Sequence, residues 1–513
     1  MMKINPIYVS ILLLIILASP GISHTLNIAF NEDFSSFYGI LAMTSFYTKV
    51  ANPAASPTIP DFSISVTPSS QTILRESMAN FTVTLTTPAG YGYGITAIRL
   101  TVSDLPVGVA GFFTPSTVEL AGGGTSYSKL TVIADSIAQS GSYPIVVSGE
   151  SPISFHSMTI ELIISESSWT FMVYMDGDNN LEDWWIREFN QMEEVGSSSE
   201  VNIVVLFDRY STNEAILYHV SKESPSTNNI VSSEIENWGP INTGDPDILR
   251  RFISWTATNY KASHYALVLQ NHGGGFTGVI WDDHSGYDHL TMEELKTALN
   301  DAGTYFEVII FYACMMQMTE VAYQIKSFSH YMVGSEEIAY TGDINYNQLL
   351  SDLVSNPDMS GRQLAINTVR MWRKYPACTI SAIDLWQMDS LAISLNDFAR
   401  SLILSLPDHQ SQIQNNRKST DNYYYPYFID LFHFAELVEE DPTFAYTILG
   451  TSSKSVMENV EKAVISDWRG EAHFDSHGSS IYFPESGYID YYDDLVICQL
   501  IQWDDFIKAY ESS

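Results

Sequence analysis

Two apolar segments of the chain end in residue types that are used for acyl transfer. The segment "HYALVLQNHGGG" ends in His272 and three glycines, and the segment "EVIIFYACMM" carries Cys314. If both segments are neighbouring strands of one parallel sheet, their side chains emerge at the same carboxyl edge, where α/β proteins bind ligands. The imidazole can then take the thiol proton, and the thiolate can attack a carbonyl carbon. The pattern therefore predicts a nucleophile–base pair.

Backbone donors beside this pair strengthen the prediction. Glycine lets the backbone approach a substrate closely, so the amides of Gly273 and Cys314 are predicted to form an oxyanion hole. A helix that began directly after Cys314 would also favour the thiolate. Each motif alone has a plainer interpretation, because HGGG is typical of tight turns and free cysteine is often a core residue. Their occurrence together at corresponding strand ends favours catalysis.

The elements that must position these residues begin near residue 168. From there, apolar strands alternate with amphipathic helices such as "NNLEDWWIREFNQMEEV" and "LTMEELKTALNDA". Thr291 and Glu294 have the spacing of a capping box at the start of the second of these helices. Alternating strands and helices predict a largely parallel sheet covered on both faces. Residues 167–513 are therefore predicted to be one α/β domain.

The preceding region has a different pattern. Residues 59–166 contain about seven short alternating runs separated by Gly, Pro, Ser and Thr, which predicts an all-β sandwich. This region resembles the bacterial immunoglobulin-like repeats found on secreted enzymes, so we expect it to bind a surface polymer or a protein. Residues 24–58 end in "ANPAASPTIP" and are predicted to be a linker or a pro-segment.

The amino-terminus and the overall composition indicate where the chain works. Residues 1–23 have a positive n-region at Lys3, an apolar stretch and small residues up to Ser23, as in a signal peptide. We therefore expect a secreted or extracellular protein, including one held at the cell surface. The net charge is -36, with 24 Lys+Arg against 60 Asp+Glu, which argues against a nucleic-acid partner. Of the remaining cysteines, Cys378 and Cys498 are either a disulfide pair or, as we favour, core thiols.

The motifs together resemble the clostripain family of caspase-like cysteine peptidases of clan CD. The similar segments are "FMVYMDGDNNLE", the strand ending in His-Gly, "VIWDDHSGYDHLTMEELKTAL", the strand ending in Ala-Cys, "GSEEIAYTGDINYNQLL" and "SSIYFP". The resemblance implies a caspase-hemoglobinase fold, a three-layer α/β/α domain with a mostly parallel sheet. It also implies an endopeptidase that acts on proteins or peptides, with His272 as the catalytic histidine and Cys314 as the nucleophile.

The chain departs from this family in the region that selects the substrate. The family has an aspartate two residues before the cysteine, where it lines the S1 pocket and binds Arg or Lys; this chain has Tyr312. A phenol cannot supply the charge-assisted bond of a carboxylate. Asp343 falls near the second acidic S1 position, and Ser335 and Glu336 fall in a segment that helps to line the cleft.

A second departure concerns self-cleavage. Family members often cut themselves after a basic residue shortly beyond the histidine, but residues 273–295 contain no Lys or Arg. Our hypothesis is that the preference for the P1 residue is not strictly Arg or Lys, and that this self-cleavage site has been lost.

An acidic loop offers a candidate metal site. The segment "MDGDNNLEDW" groups four carboxylates that could hold calcium: Asp176, Asp178, Glu182 and Asp183. The alternative is that they stabilise the amino-terminus of the following helix through its dipole. No cofactor is otherwise expected.

The leading interpretation is a secreted cysteine endopeptidase. The runner-up is a non-catalytic cell-surface binding protein with a degenerate peptidase domain, of which Tyr312 would be a symptom. A third interpretation, a metal-dependent hydrolase, would require chelator-sensitive activity that survives Cys314→Ala. No pattern in the sequence indicates an oligomeric state.

Overall fold

The computed structural model describes residues 61–74, 78–88, 95–135, 138–165, 167–223 and 229–513. The signal peptide expected over residues 1–23 and the linker or pro-segment expected over residues 24–58 lie outside these ranges. Among the helices of the described ranges, none combines the length and the apolar character needed to cross a bilayer. Cys378 and Cys498 are free thiols, as favoured from the sequence.

Residues 61–165 form two sheets that share one hydrophobic core. Their described strands are β1 (Ser63–Thr67), β2 (Ser70–Leu74), β3 (Met78–Thr86), β4 (Ile95–Ser103), β5 (Val109–Thr114), β6 (Thr117–Ala121), β7 (Thr125–Ala134), β8 (Gly141–Glu150) and β9 (Phe155–Ser165). The sheet orders are β1-β3-β7-β5 and β2-β9-β8-β4-β6. Alternate residues of β3, including Phe81 and Val83, pack against Ile145 of β8 and Leu162 of β9. An all-β region was expected here, and an immunoglobulin-like topology stays a prediction.

The described residues from 167 onwards are built on a nine-stranded mixed sheet. Its strands are β10 (Ser167–Gly177), β11 (Val201–Arg209), β12 (Glu214–His219), β13 (Glu234–Gly239), β14 (Ala262–Gln270), β17 (Phe306–Tyr312), β18 (Ser329–Gly334), β19 (Thr379–Asp384) and β21 (Val464–Arg469), in the order β13-β12-β11-β10-β14-β17-β18-β19-β21. Two two-stranded ribbons pair β15 (Val279–Asp282) with β16 (Asp288–Leu290), and β20 (Phe428–Asp430) with β22 (Ser480–Tyr482).

The expectation of a mostly parallel sheet is correct only for the centre. Strands β11, β10, β14, β17 and β18 run parallel, whereas two antiparallel strands extend the sheet on each side. A short turn over residues 210–213 joins β11 to β12, and so short a connection allows only an antiparallel pair. The carboxyl ends of the five central strands still meet at one edge of the sheet.

Helices supply buried residues to both faces of this sheet. They are α1 (Glu182–Val195), α2 (Pro246–Asn259), α3 (Met292–Ala302), α4 (Thr319–Ile325), α5 (Tyr346–Ser355), α6 (Gly361–Met371), α7 (Met388–Ser419), α8 (Leu431–Glu440), α9 (Ile448–Ala463) and α10 (Trp503–Ser512). The predicted capping box of α3 is confirmed. Phe189 of α1 joins the core on one face with Val173 of β10, while Phe252 of α2 joins the core on the other face with Tyr174. Alternate residues of a central strand are thus buried on opposite sides.

Candidate active site

Strand register brings the predicted histidine and cysteine together. Strands β14 and β17 are parallel neighbours, and Gln270 lies opposite Tyr312 in the ladder. His272 and Cys314 therefore follow the last paired residues of adjacent strands. Both side chains line a cleft of about 370 Å³. The other walls of this cleft are largely apolar and aromatic and include Leu181, Trp185, Ile338, Tyr340, Tyr424 and Tyr425.

The imidazole of His272 is oriented by a residue that the sequence did not single out. Nε2 of His272 lies 3.0 Å from Oδ1 of Asn180, which belongs to the loop between β10 and α1. An amide oxygen can only accept here, so Nε2 carries the proton and Nδ1 is left as the acceptor. Burial lowers the pKa of His272 below 6.5, although the charge of Asp283 opposes this shift. The ring is therefore a neutral base near pH 7.

Gly273 packs directly against the backbone of the cysteine. A Cβ atom at this position would lie 2.4 Å from the carbonyl oxygen of Cys314 and 2.9 Å from its amide nitrogen. No side chain can occupy so small a space, so the close approach requires glycine. The Gly273 amide also faces the sulfur of Cys314 and acts to lower the pKa of that thiol. Both predicted oxyanion donors thus lie beside the thiol.

Cys314 itself is a protonated thiol at rest. It is half-buried, its sulfur lies 3.7 Å from the carbonyl oxygen of Ala339, and burial raises its pKa. The expectation of a helix directly after this residue is wrong, because α4 begins only at Thr319. Met315 instead has a φ of 60°, which turns the chain away from a helical path. Among the described residues no helix begins beside the thiol to activate it, so ionisation requires a base.

Tyr312 forms the base of the cleft on the substrate side. Its hydroxyl lies 2.8 Å from Oε1 of Glu188 on α1 and accepts a hydrogen bond from the Asp343 amide at 2.9 Å. Glu188 is 2% exposed and also accepts hydrogen bonds from the Gly342 amide at 2.7 Å and from Nε2 of Gln270 at 2.8 Å. Burial raises the pKa of Glu188 to about 8, although these donors oppose the rise. Tyr312 therefore lines the floor of the cleft, and the carboxyl group of Glu188 lies behind it.

The other predicted S1 residues lie behind the cleft wall. Oδ2 of Asp343 accepts from the Tyr340 amide at 2.7 Å and from the Tyr375 hydroxyl at 3.0 Å, and burial raises the pKa of Asp343 to about 6. Ser335 hydrogen-bonds with Thr379, and Glu336 accepts a hydrogen bond from Tyr423. All three predicted residues are buried, and Asp343 holds Tyr340 of the segment 338–341, which does line the cleft.

Glu337 connects this wall to the cysteine loop. Its carboxylate accepts a hydrogen bond from the Ile338 amide at 2.8 Å, and its carbonyl accepts one from the Met315 amide at 3.1 Å. Nε2 of His473 lies 3.5 Å from Glu337, and its Nδ1 lies 3.2 Å from Asp421. Burial opposes a charge on His473, but the hydrogen bond and charge of Asp421, together with Glu337, raise its pKa above 6.5. His473 thus joins two carboxyls behind the wall, and they favour its protonated form.

The four predicted calcium ligands do not form one group. Asp183 is exposed, and Glu182 accepts a hydrogen bond from Nε of Arg209 at 2.8 Å. Oδ1 of Asp176 accepts a hydrogen bond from the Asp178 amide at 2.8 Å. The acidic loop therefore divides its carboxylates between a surface helix and the interior.

Asp178 instead joins two aspartates that are distant in sequence. Its carboxylate and those of Asp208, at the end of β11, and Asp282, at the end of β15, have oxygens within 4.8 Å of one another. Burial, with the charges of Asp178 and Asp282, raises the pKa of Asp208 to about 8. We call Asp178, Asp208 and Asp282 the aspartate cluster.

The fold and the site define an α/β protein with a thiol and an imidazole at adjoining strand ends over an apolar cleft. The chain belongs to the clostripain family, whose sequence pattern matches residues 173–510. It is similar to clostripain of Hathewaya histolytica, with 29% identity over 188 residues, or 31% of this chain and 36% of that protein. The matched segment thus spans about a third of the length of this relative.

Two solved structures share the fold. A secreted C11 cysteine protease from Bacteroides thetaiotaomicron, in complex with an irreversible peptide inhibitor, is 19% identical with a TM-score of 0.51, covering 68% of this chain and 100% of the other. An inactive zymogen C11 protease from Parabacteroides distasonis is 20% identical with a TM-score of 0.51, covering 65% and 98%. The architecture of the α/β domain is therefore that of known C11 proteases.

Proposed function

We propose that the protein is a secreted cysteine endopeptidase that cleaves peptide bonds through His272 and Cys314. The observation that carries this proposal is the register of β14 and β17, which delivers an imidazole and a thiol to one cleft. Membership of the clostripain family supports it. A caspase-like three-layer arrangement and an immunoglobulin-like amino-terminal module that binds a surface polymer or protein belong to the same proposal.

The mechanism follows from the resting protonation states. Nδ1 of His272 takes the proton of the neutral Cys314 thiol as the sulfur attacks the scissile carbonyl carbon. The amides of Gly273 and Cys314 donate to the oxyanion that forms, and one such donor contributes on the order of 3 kcal/mol. The imidazolium then protonates the departing amine, which leaves an acyl group on sulfur. Water, deprotonated by His272, releases the acid and regenerates the thiol.

The P1 preference that we propose is aromatic or large apolar rather than strictly Arg or Lys. Aromatic and aliphatic side chains such as Trp185, Tyr340 and Ile338 line the cleft, and its base is the phenol of Tyr312. Glu188 accepts a hydrogen bond from this phenol and is not among the residues that line the cleft, so a substrate guanidinium would not meet it directly. An apolar side chain gains free energy in such a pocket in proportion to the area that it buries.

The testing experiment compares variants on a fluorogenic peptide library that varies the P1 residue, under reducing conditions. We expect kcat/KM to fall at least about 10³-fold in Cys314→Ala and in His272→Ala, because each removes one half of the reacting pair. Cys498→Ala is the matched control, since it removes another half-buried thiol away from the cleft. Wild-type activity should favour Tyr and Leu over Arg at P1.

Other outcomes would overturn specific parts of this proposal. Strict dependence on Arg or Lys would overturn the P1 assignment. An inactive wild type whose Cys314 also fails to react with peptide electrophiles would favour the non-catalytic binding protein instead.

A further inference from the structure

The order of the strands determines on which side of the catalytic pair each half of a cleaved peptide lies. Along the sheet the order is β10-β14-β17-β18, so His272, after β14, lies on one side of Cys314, and segment 338–341, after β18, lies on the other. In the proposed mechanism the acyl half stays on the sulfur, while the leaving amine takes its proton from the imidazole. The residues that follow the scissile bond therefore lie on the His272 side, away from segment 338–341.

The β15–β16 ribbon packs against this side of the histidine. The Ile280 amide donates to the carbonyl of His272 at 3.1 Å. The side chain of Asn271 donates to the carbonyl of Trp281, also at 3.1 Å. A Cβ atom at Gly274 would lie 3.2 Å from Cη2 of Trp281, so the indole ring lies over the glycine loop. The ribbon is thus a second wall, outside the cleft, on the side of the leaving group.

The turn of this ribbon holds Asp283 in place. The Asp283 amide donates to the carbonyl of Asp178 at 2.9 Å, and the Asp283 carbonyl accepts from the Gly286 amide at 3.3 Å. Asp283 is half-buried, and its charge acts to raise the pKa of His272 against the effect of burial. Because such an effect weakens with distance and with screening by water, the carboxylate lies close to the imidazole. Asp283 therefore places a negative charge beside the path of the leaving group.

The ribbon carries acids but no lysine or arginine. Residues 273–295 contain neither basic residue, and the turn also holds the exposed acid Asp288. His284 follows Asp283 directly, but its Nδ1 lies 2.6 Å from Oδ1 of Asp178, so it is already paired. The net charge of -36 adds to the negative field at this surface. The two sides of the catalytic pair therefore differ, because the cleft is largely aromatic and the ribbon is anionic.

We propose that Asp283 is a specificity-determining residue that selects peptides with Lys or Arg directly after the cleaved bond, at P1′. A basic side chain there gains the attraction of a partly desolvated carboxylate, whereas Asp or Glu is repelled by it. Together with the aromatic cleft, this makes the preferred bond one between a large apolar residue and a basic one. The inference rests on the proposed function, since it requires cleavage between the cleft and the ribbon.

The test uses internally quenched peptides with Tyr at P1 and Lys, Ala or Glu at P1′, cleaved by the full chain under reducing conditions. At low ionic strength we expect wild-type kcat/KM to be at least about tenfold higher for Lys than for Glu. The ratio should shrink in about 0.5 M NaCl, because salt screens a partly exposed charge. Asp283→Asn should lower the ratio below about threefold. Asp301→Asn, which removes one charge from an exposed acid near the carboxyl end of α3, should keep the wild-type ratio.

A role of Asp283 in tuning His272 alone would give a different pattern. In that case Asp283→Asn would lower kcat/KM by the same factor for all three peptides and keep the ratio, which would overturn the proposal. A ratio near one in an active wild type would overturn it as well. Asp283→Lys reverses the charge and should favour Glu at P1′, and it replaces Asp283→Asn if circular dichroism shows that the latter does not fold.

A binding measurement separates this inference from the proposed function. Cys314→Ala should bind singly labelled, uncleaved versions of the peptides more tightly with Lys than with Glu at P1′, as measured by fluorescence anisotropy. Equal affinities would contradict the assignment of Asp283. If the wild type cleaves no peptide at all, the proposed function fails, and the order of affinities alone decides whether the ribbon selects a basic residue.

Discussion

Buried carboxyls at the same edge of the sheet differ in whether their oxygens have hydrogen-bond donors. Glu188, beneath the cleft, meets three donors: the Tyr312 hydroxyl, the Gly342 amide and the Gln270 side chain. In the aspartate cluster, two oxygens meet no donor among the described residues. The contrast shows that burial of an acid does not by itself indicate a binding site. The donors around it decide whether it is a structural group or a ligand.

The same contrast underlies the proposed P1 preference. The donors around Glu188 make its carboxyl part of the scaffold, and it does not line the cleft. On that proposal, a substrate side chain meets an aromatic surface, although an acid lies one hydrogen bond away.

The largest expected effect comes from removing Glu188, the acid whose oxygens have hydrogen-bond donors. Glu188→Ala leaves a buried hydroxyl and two amide donors without an acceptor, so we expect the free energy of unfolding to fall by about 3 to 5 kcal/mol. Urea denaturation at pH 7 measures it. Asp183→Ala, on the exposed face of the same helix, should change it by less than about 0.5 kcal/mol. A loss below about 1 kcal/mol for Glu188→Ala would show that its hydrogen bonds are not structural.

A second test uses the pKa of Glu188, which burial raises from 4.5 to about 8. Between these values the folded state binds more protons than the unfolded chain, so this group makes stability fall as pH rises. The slope is at most about 1.4 kcal/mol per pH unit. Glu188→Gln cannot titrate, and its unfolding free energy should fall less steeply between pH 5 and 8, as roughly set by that window. Parallel curves for variant and wild type would contradict this prediction.

A third test replaces Asp208 of the aspartate cluster, whose Oδ2 has no hydrogen-bond donor among the described residues. At pH 9, above the pKa of about 8, Asp208→Asn should raise the free energy of unfolding by about 1 kcal/mol, because it relieves repulsion and its amide can donate towards Asp178. At pH 6 the wild-type carboxyl is protonated, so the gain should be smaller. Urea denaturation at the two pH values measures both. Destabilisation by the same amount at both pH values would mean that Asp208 is a structural acid like Glu188.

The smallest expected effect concerns His473, whose partners are the carboxyl groups of Glu337 and Asp421. Its pKa is raised by Asp421 and Glu337 against the effect of burial. The stabilisation is therefore complete below pH 6.5 and is lost as pH rises through the higher folded pKa. His473→Gln should remove about 0.5 kcal/mol of stability at pH 6 and little at pH 9, after allowance for solvent screening. Asp421→Asn should reproduce this profile, and a loss independent of pH in both variants would argue against the ion pair.

The placement of His272 beside Cys314 was predictable because it depends on local patterns. Apolar runs that end in His272 and Cys314 identify strand ends, and right-handed crossovers make consecutive parallel strands neighbours. The structure confirms five central parallel strands and places β14 beside β17. The antiparallel edges escaped prediction, since β12 and β13 lie between Glu214 and Gly239, a stretch for which no strand was predicted.

The acids at the edge of the sheet were not predictable in the same way. Asp208 and Asp282 meet Asp178 only after the sheet and the β15–β16 ribbon have formed, and no sequence spacing encodes that. Glu188 did leave a signal, because it interrupts the apolar face of α1 between Trp185 and Phe189. A charged residue on a buried helix face needs partners, and that alone could have marked it.

The late start of α4, at Thr319, also affects the chemical lifetime of the nucleophile. Peroxides and disulfides react with a thiolate and not with a thiol, so a cysteine that is ionised at rest is consumed between turnovers. Burial raises the pKa of Cys314, and no helix of the described residues begins beside it to lower that pKa. On the proposed mechanism, the sulfur becomes reactive chiefly when His272 withdraws its proton, and idle molecules in oxidising solution should retain their activity for longer.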